Sequence, residues 1–318
     1  MHAAIVGSWG SAPKYSTFNL SAPSSSQVRI KILAAGLHNL VRSRAAGQHY
    51  TTANKSPPHI PGVDGVGTIS ETGELFYFNC LMAPTGSFAE EIIVEKKDIV
   101  SLPAGADPHT IAVLVNPAMS SWMAFTTRAG IVPGQSFSVA IVGATGVSGQ
   151  AAVQISKAMG ATEIVAIGRP GEKLEKTKYL GATATIALAD KLEETDFSAA
   201  GDVDVVLDYL WGETAKTALP GIVWKRANKS QRLTWVEIGA LAGNENPMSA
   251  ALLRQANVAV VGCGPGSWTF PELGKQLPTM LETVAKHGLK AEFVVKKLED
   301  VESWWEASKS GPRVLVKP

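Results

Sequence analysis

The chain has 318 residues, enough for two domains at roughly 100–200 residues each. Apolar residues make up 45 %, charged residues 18 %, and the formal net charge is +1. This balance argues against the strongly basic face that nucleic acid requires. Two distant cysteines, Cys80 and Cys263, give neither a disulfide framework nor a Cys-x-x-Cys metal knuckle.

In chain order, MHAAIVGSWG reads as a first strand rather than a signal peptide, because it has no basic flank and only a short apolar run. No stretch approaches the ~20 apolar residues of a membrane span, and a cytoplasmic location is expected. VRIKILA at 28–34 alternates as a half-buried strand. Pro57, Pro58 and Pro61 then break the chain before GVDGVGTI, a second strand-like run punctuated by Gly62, Gly65 and Gly67. FAEEIIV at 88–94 is a third. Short strands between glycine turns predict a small barrel or sandwich over 1–112.

The pattern changes at Pro108, and 108–129 reads as helix, with Pro117 inside it. Strand and helix then alternate. SFSVAIV is a strand, QAAVQISKAMG a helix, EIVAI a strand, EKLEKTKYLG a helix and VDVVLDYL a strand. LTWVEIG at 233–239 and NVAVVG at 257–262 add two more strands. Such alternation predicts an α/β unit over 113–270 with a doubly wound parallel sheet. Over 271–318 follow a helix near 273–287, FVVKKL, a helix near 300–309 and a strand, RVLV.

The most informative motif is GATGVSG, with Gly143, Gly146 and Gly149 at G-x-x-G-x-x-G spacing between a predicted strand and a predicted helix. A side chain at Gly146 would hold a pyrophosphate away from backbone N–H groups, and Gly149 lets helix and strand pack closely. The helix start offers N–H donors and a positive dipole to phosphate, with Thr145 and Val147 in the same turn. NAD sites carry an acid at the tip of the next strand. Here that tip is Gly168-Arg169, followed by Lys173, with no carboxylate. Arginine can pair a 2′-phosphate in bidentate fashion, so NADPH is the expected cofactor.

With these residues in view, the chain resembles the zinc-free quinone oxidoreductase branch of the medium-chain dehydrogenase/reductase superfamily. VRIKILAAGLH, RSRAAGQHY, PHIPGVDGVGTI, GSFAEEIIV, NPAMSSWMAF, the glycine loop and VDVVLDYLWG carry the likeness in order. The resemblance implies a GroES-like β-barrel domain over 1–112, completed by 271–318, with a Rossmann domain inserted. It also implies a homodimer. Zinc-using relatives place metal ligands where this chain has His38, Val63 and Asn116. That trio cannot make the usual three-ligand site, and the four-cysteine zinc lobe is missing. The implied reaction is zinc-free hydride transfer from NADPH to a small-molecule quinone or activated C=C.

By the same resemblance His38, Tyr50 and Asn116 line the acceptor pocket as hydrogen-bond donors, His38 having an ordinary pKa near neutrality. Ser120, Gly239 and Gly262 are placed near the nicotinamide. Asp208 is expected to orient a loop, Cys263 to be an inert buried thiol, and Trp304 and Trp305 to pack domains. A second function stays open, an NADPH-binding sensor or structural protein with little turnover.

Overall fold

The computed structural model describes residues 1–69, 72–309 and 311–318. The chain opens with β1 (His2–Ile5), β2 (Lys14–Thr17), β3 (Gln27–Leu37) and α1 (Asn39–Ala45). Next come β4 (Asp64–Ile69), β5 (Leu75–Asn79), β6 (Glu91–Glu95), β7 (Ile99–Ser101) and α2 (Pro108–Met123). Then follow β8 (Phe137–Val142), α3 (Val147–Met159), β9 (Ala161–Gly168), α4 (Glu172–Leu180) and β10 (Ala184–Ala187). After them lie β11 (Val205–Asp208), α5 (Gly212–Lys225), β12 (Leu233–Glu237), α6 (Ala250–Gln255) and β13 (Val258–Gly262). The remaining elements are α7 (Phe270–Lys286), β14 (Phe293–Lys297), α8 (Val301–Trp304) and β15 (Arg313–Lys317). Two compact units result: Met1–Asn116 with Leu277–Pro318, and Pro117–Gln276. Among the described residues no helix is long and apolar enough to cross a membrane.

In the first unit the sheet order is β14-β15-β3-β4-β5-β7, with β6 also paired to β3, and β1–β2 form a separate hairpin. The 11-residue β3 is its spine. Its first residues pair with β6, from Gln27↔Glu95 to Lys31↔Glu91, and its last with β15, from Ala35↔Val316 to Leu37↔Val314. A register shift between Ile32 and Ala34 marks the irregularity in its pairing with β4. One core gathers Ile30, Ile32, Phe78, Cys80, Ile92 and Val94. A second gathers Val41, Val63, Phe88, Trp304, Trp305 and Val314. Although adjacent in sequence, Trp304 and Trp305 both set their rings near Phe88, at 6.4 and 6.3 Å, and so pack the core of this unit.

Buried His59 sits in this unit with its backbone bonded both ways to Val6 and its ring 5.4 Å from Trp9. Burial, and then the charges of Arg44 and Lys55, lower its pKa from 6.5 to about 4. The folded protein therefore binds fewer protons here than the unfolded chain. The stability this provides is complete above pH ~6.5 and is lost as pH falls towards ~4, roughly 3 kcal/mol in all. Urea melts across that range should show this slope, and His59→Phe should flatten it. An unchanged slope in the variant would remove His59 as its source.

In the second unit six parallel strands run in the order β10-β9-β8-β11-β12-β13. Counted from the first of them this is 3-2-1-4-5-6, the Rossmann order, with its switch point between β8 and β11. Buried on both faces, Val139, Ala140, Ile141 and Val142 of β8 form an unbroken apolar run. The helical stretch predicted at 108–129 is α2 followed by a π-helical turn, Ala124–Ala129, closed by left-handed Gly130.

Candidate functional site

The glycine loop leaves the carboxyl end of β8 and enters α3. Gly143 has φ +89°, which favours glycine, and its N–H bonds Ile167 O of the neighbouring β9. At Gly149 a Cβ would lie 2.3 Å from Gly143 O and 2.6 Å from Ala144 Cα, so helix and loop touch backbone to backbone. Gly146 differs. A Cβ there would meet only Gly143 O, at an ordinary 3.6 Å. No protein neighbour demands glycine at this exposed turn, and the space fits a close-approaching phosphate. Gly146 caps α3, whose first turn holds Val147 and no acidic residue, so the N–H donors there face no competing carboxylate.

Thr145 and Gly168 lie against one another: a Cβ on Gly168 would be 2.7 Å from the Thr145 methyl. Arg169 follows at the tip of β9, and Lys173 stands in the first turn of α4. Both are exposed, and neither has a carboxylate partner among the described residues. These two cations stand at the same sheet edge as the loop and are available to an anionic group.

Past the switch point, Asp208 ends β11 completely buried. Its Oδ1 accepts from the N–H of Leu210 at 2.9 Å and of Trp211 at 3.0 Å, and its Oδ2 from Trp235 Nε1 at 3.1 Å. It orients the loop, as expected. Trp211 is held at φ +52°, an uncommon conformation for a bulky residue. Glu237 ends β12 in register with Asp208 and Gly262. Burial, and then the Asp208 charge, raise its carboxyl. A concavity of about 390 Å³ opens here, lined in part by Trp211, Glu237, Asn244, Met248 and Gly262. It lies at the carboxyl ends of parallel strands, where such sheets bind ligands. Gly239 lies nearby, its would-be Cβ 3.2 Å from Tyr209 O. Cys263 is buried and its thiol is pushed up to about 11, so it is protonated at neutral pH.

Asn116 and Ser120 are four residues apart on α2, on one helix face, and both are half-buried. The Ser120 hydroxyl donates to Pro117 O at 2.6 Å and meets the Tyr209 hydroxyl at 3.0 Å. Tyr50 is 60 % exposed, on a short 3-10 turn, with its ring 4.2 Å from that of His49. Burial of its inner part raises its pKa. Val63 is a core residue that offers no metal donor. Among the described residues no three His, Cys, Asp or Glu side chains gather as a metal-binding group.

His38 follows β3 and is buried. Sequence alone suggests a hydrogen-bond donor to substrate, but the structure turns Nε2 inward, 3.6 Å from Asp64 Oδ1. Burial lowers the His38 pKa; Asp64 opposes the shift through its hydrogen bond and charge, and the charge of Arg313 adds to it. Asp64, Tyr77 and Arg313 were not selected from sequence. Asp64 directly follows Val63, but only the pairing of β3 with β4 sets it beside His38.

Residues 148–286 match the family described as zinc-binding dehydrogenase, a stretch that includes none of His38, Val63 and Asn116. The chain is 30 % identical, over 100 % of both chains, to an Emericella nidulans protein named "Probable NADPH-dependent quinone reductase". It superposes over 100 % of both chains on the quinone oxidoreductase of Thermus thermophilus, whose structure was also determined with NADPH, at TM-score 0.78 and 25 % identity. A thermostable alcohol dehydrogenase of Pyrobaculum aerophilum shares the fold, at TM-score 0.76 and 24 % identity over 100 % of this chain and 99 % of that one.

Proposed function

The chain belongs to the quinone oxidoreductase-like branch of the medium-chain dehydrogenase/reductase superfamily, and on that premise we propose that it reduces a small quinone or enone with NADPH and without zinc. It is an NADPH-dependent oxidoreductase. The observation that carries the reading is the open phosphate cradle at Gly146 beside two exposed cations, in a chain alike over its whole length to a quinone reductase.

Bound NADPH would supply a hydride from its nicotinamide. Gly143, Thr145, Gly146, Val147 and Gly149 hold the pyrophosphate on the start of α3, with Gly168 giving close approach. Arg169 and Lys173 pair the 2′-phosphate. Ser120, Gly239 and Gly262 steady the nicotinamide end. His38, Tyr50 and Asn116 line the acceptor pocket. Negative charge that develops on the acceptor oxygen is met by the Tyr50 hydroxyl and the Asn116 amide, both donors. Val63 at one of the relatives' metal positions supports the zinc-free reading.

The test is NADPH consumption with matched quinones and enones in the presence of a chelator. Tyr50→Phe and Asn116→Ala should each lower acceptor reduction ~10–100-fold while NADPH binding barely changes. Full rates in both variants would show that the pocket lies elsewhere. Tight NADPH binding with no acceptor reduced would favour a sensor or structural role.

A further inference from the structure

β3 ends at Leu37 and β4 begins at Asp64, and their antiparallel pairing brings His38 and Asp64 together inside the first unit. Their side chains are only 6 % and 1 % exposed. His38 Nε2 and Asp64 Oδ1 stand 3.6 Å apart, and neither has a hydrogen-bond partner among the described residues. The second oxygen of Asp64, Oδ2, accepts from the hydroxyl of fully buried Tyr77 at 3.0 Å. Arg313 adds a positive charge felt by both His38 and Asp64, with its own Nε and Nη2 buried and unbonded among the described residues.

A carboxylate only accepts. With Tyr77 supplying one hydrogen to Asp64, the other oxygen calls for a hydrogen on Nε2. Neutral imidazole carries a single N–H, so placing it on Nε2 leaves Nδ1 a bare lone pair. Nδ1 forms no hydrogen bond among the described residues and, unlike Nε2, is not one of the buried atoms left without a partner.

We propose that Asp64 is a positioning residue that fixes this tautomer, so that His38 meets the electron acceptor as a hydrogen-bond acceptor and selects quinones or enones bearing a hydroxyl or N–H beside the reducible carbonyl. The proposal rests on His38 lining the acceptor pocket and names the substrate class of that site. An acceptor without the donor group leaves Nδ1 unpaired on closure, while one that carries it gains a hydrogen bond.

The tautomer is read directly from nitrogen NMR spectra of the histidines in the unaltered, full chain, with His38 assigned by its loss in His38→Gln. The expected state is protonated Nε2 and bare Nδ1, and the reverse overturns the proposal. Selection is read as the ratio of kcat/KM for hydroxymethyl-para-benzoquinone over methyl-para-benzoquinone. In Asp64→Asn the amide can accept from Tyr77 and donate to Nε2, which moves the imidazole hydrogen to Nδ1. The ratio should then fall about 10-fold with NADPH affinity unchanged, and Asp64→Glu should restore part of it. If the unaltered protein reduces both quinones and the ratio does not move in folded Asp64→Asn, the proposal fails alone. If it reduces neither, the reductase reading fails and takes the selectivity with it.

Discussion

Replacing Asp208 by alanine is expected to cost the Pro117–Gln276 unit about 3–5 kcal/mol. The reason is the number of donors that one buried carboxylate serves. Truncation leaves Trp235 Nε1–H without a partner in the core, where the indole is fully buried. It also frees the N–H groups of Leu210 and Trp211, which now hold the turn. Trp211 at φ +52° then loses what fixes it, and the next residue, Gly212, is itself at φ +49° with a would-be Cβ 2.2 Å from Ala242 O. Asp208→Asn should cost less, since its carbonyl can serve either the backbone pair or the indole, but not both. Urea denaturation followed by tryptophan fluorescence measures this. A loss under about 1 kcal/mol for the alanine variant would mean that water replaces the carboxylate cheaply.

Arg169→Ala is expected to weaken NADPH binding by one to two orders of magnitude and to leave NADH nearly untouched. A charge-assisted hydrogen bond contributes roughly 1.5–3 kcal/mol. Arg169 is exposed at the strand tip, with no carboxylate partner among the described residues to give up, so little of that energy is spent on breaking an internal pair. Lys173 lies further along, in the first turn of α4, as a more flexible point charge, and Lys173→Ala should cost less. Titration calorimetry with each cofactor decides the matter. Equal affinities of the unaltered protein for NADPH and NADH would remove the 2′-phosphate from the argument.

The parallel sheet was legible because its information is local. An apolar run, a glycine loop and a helix follow one another within residues 137–159, and each link predicts the next. Elements with weak local signals were missed. α5 contains Pro220 and Gly221, both discouraged in helix interiors, yet Ala218, Leu219, Ile222 and Val223 bury one face on the sheet. α6 and β10 are short, at six and four residues. At the site, the cofactor loop could be read as a string of residues. The surroundings of His38 could not, because Asp64, Tyr77 and Arg313 reach it through strand pairings dozens to hundreds of residues apart. The register shift in β3 cannot be counted from sequence alone.

β3 also sets an order in time. Its residues Ala35–Leu37 find their β15 partners only in Val314–Val316, and Pro117–Gln276 lies between them in the chain. On a ribosome the inserted unit is complete, with all six parallel strands emerged, while the sheet around β3 still has one flank unpaired. Until β15 arrives, the apolar AAGL stretch offers its open N–H and C=O groups to any passing strand. The end of β3 thus leaves the ribosome well before β15 and is among the last segments to close, and its vulnerable interval lasts as long as the synthesis of the about 280 residues that separate the two.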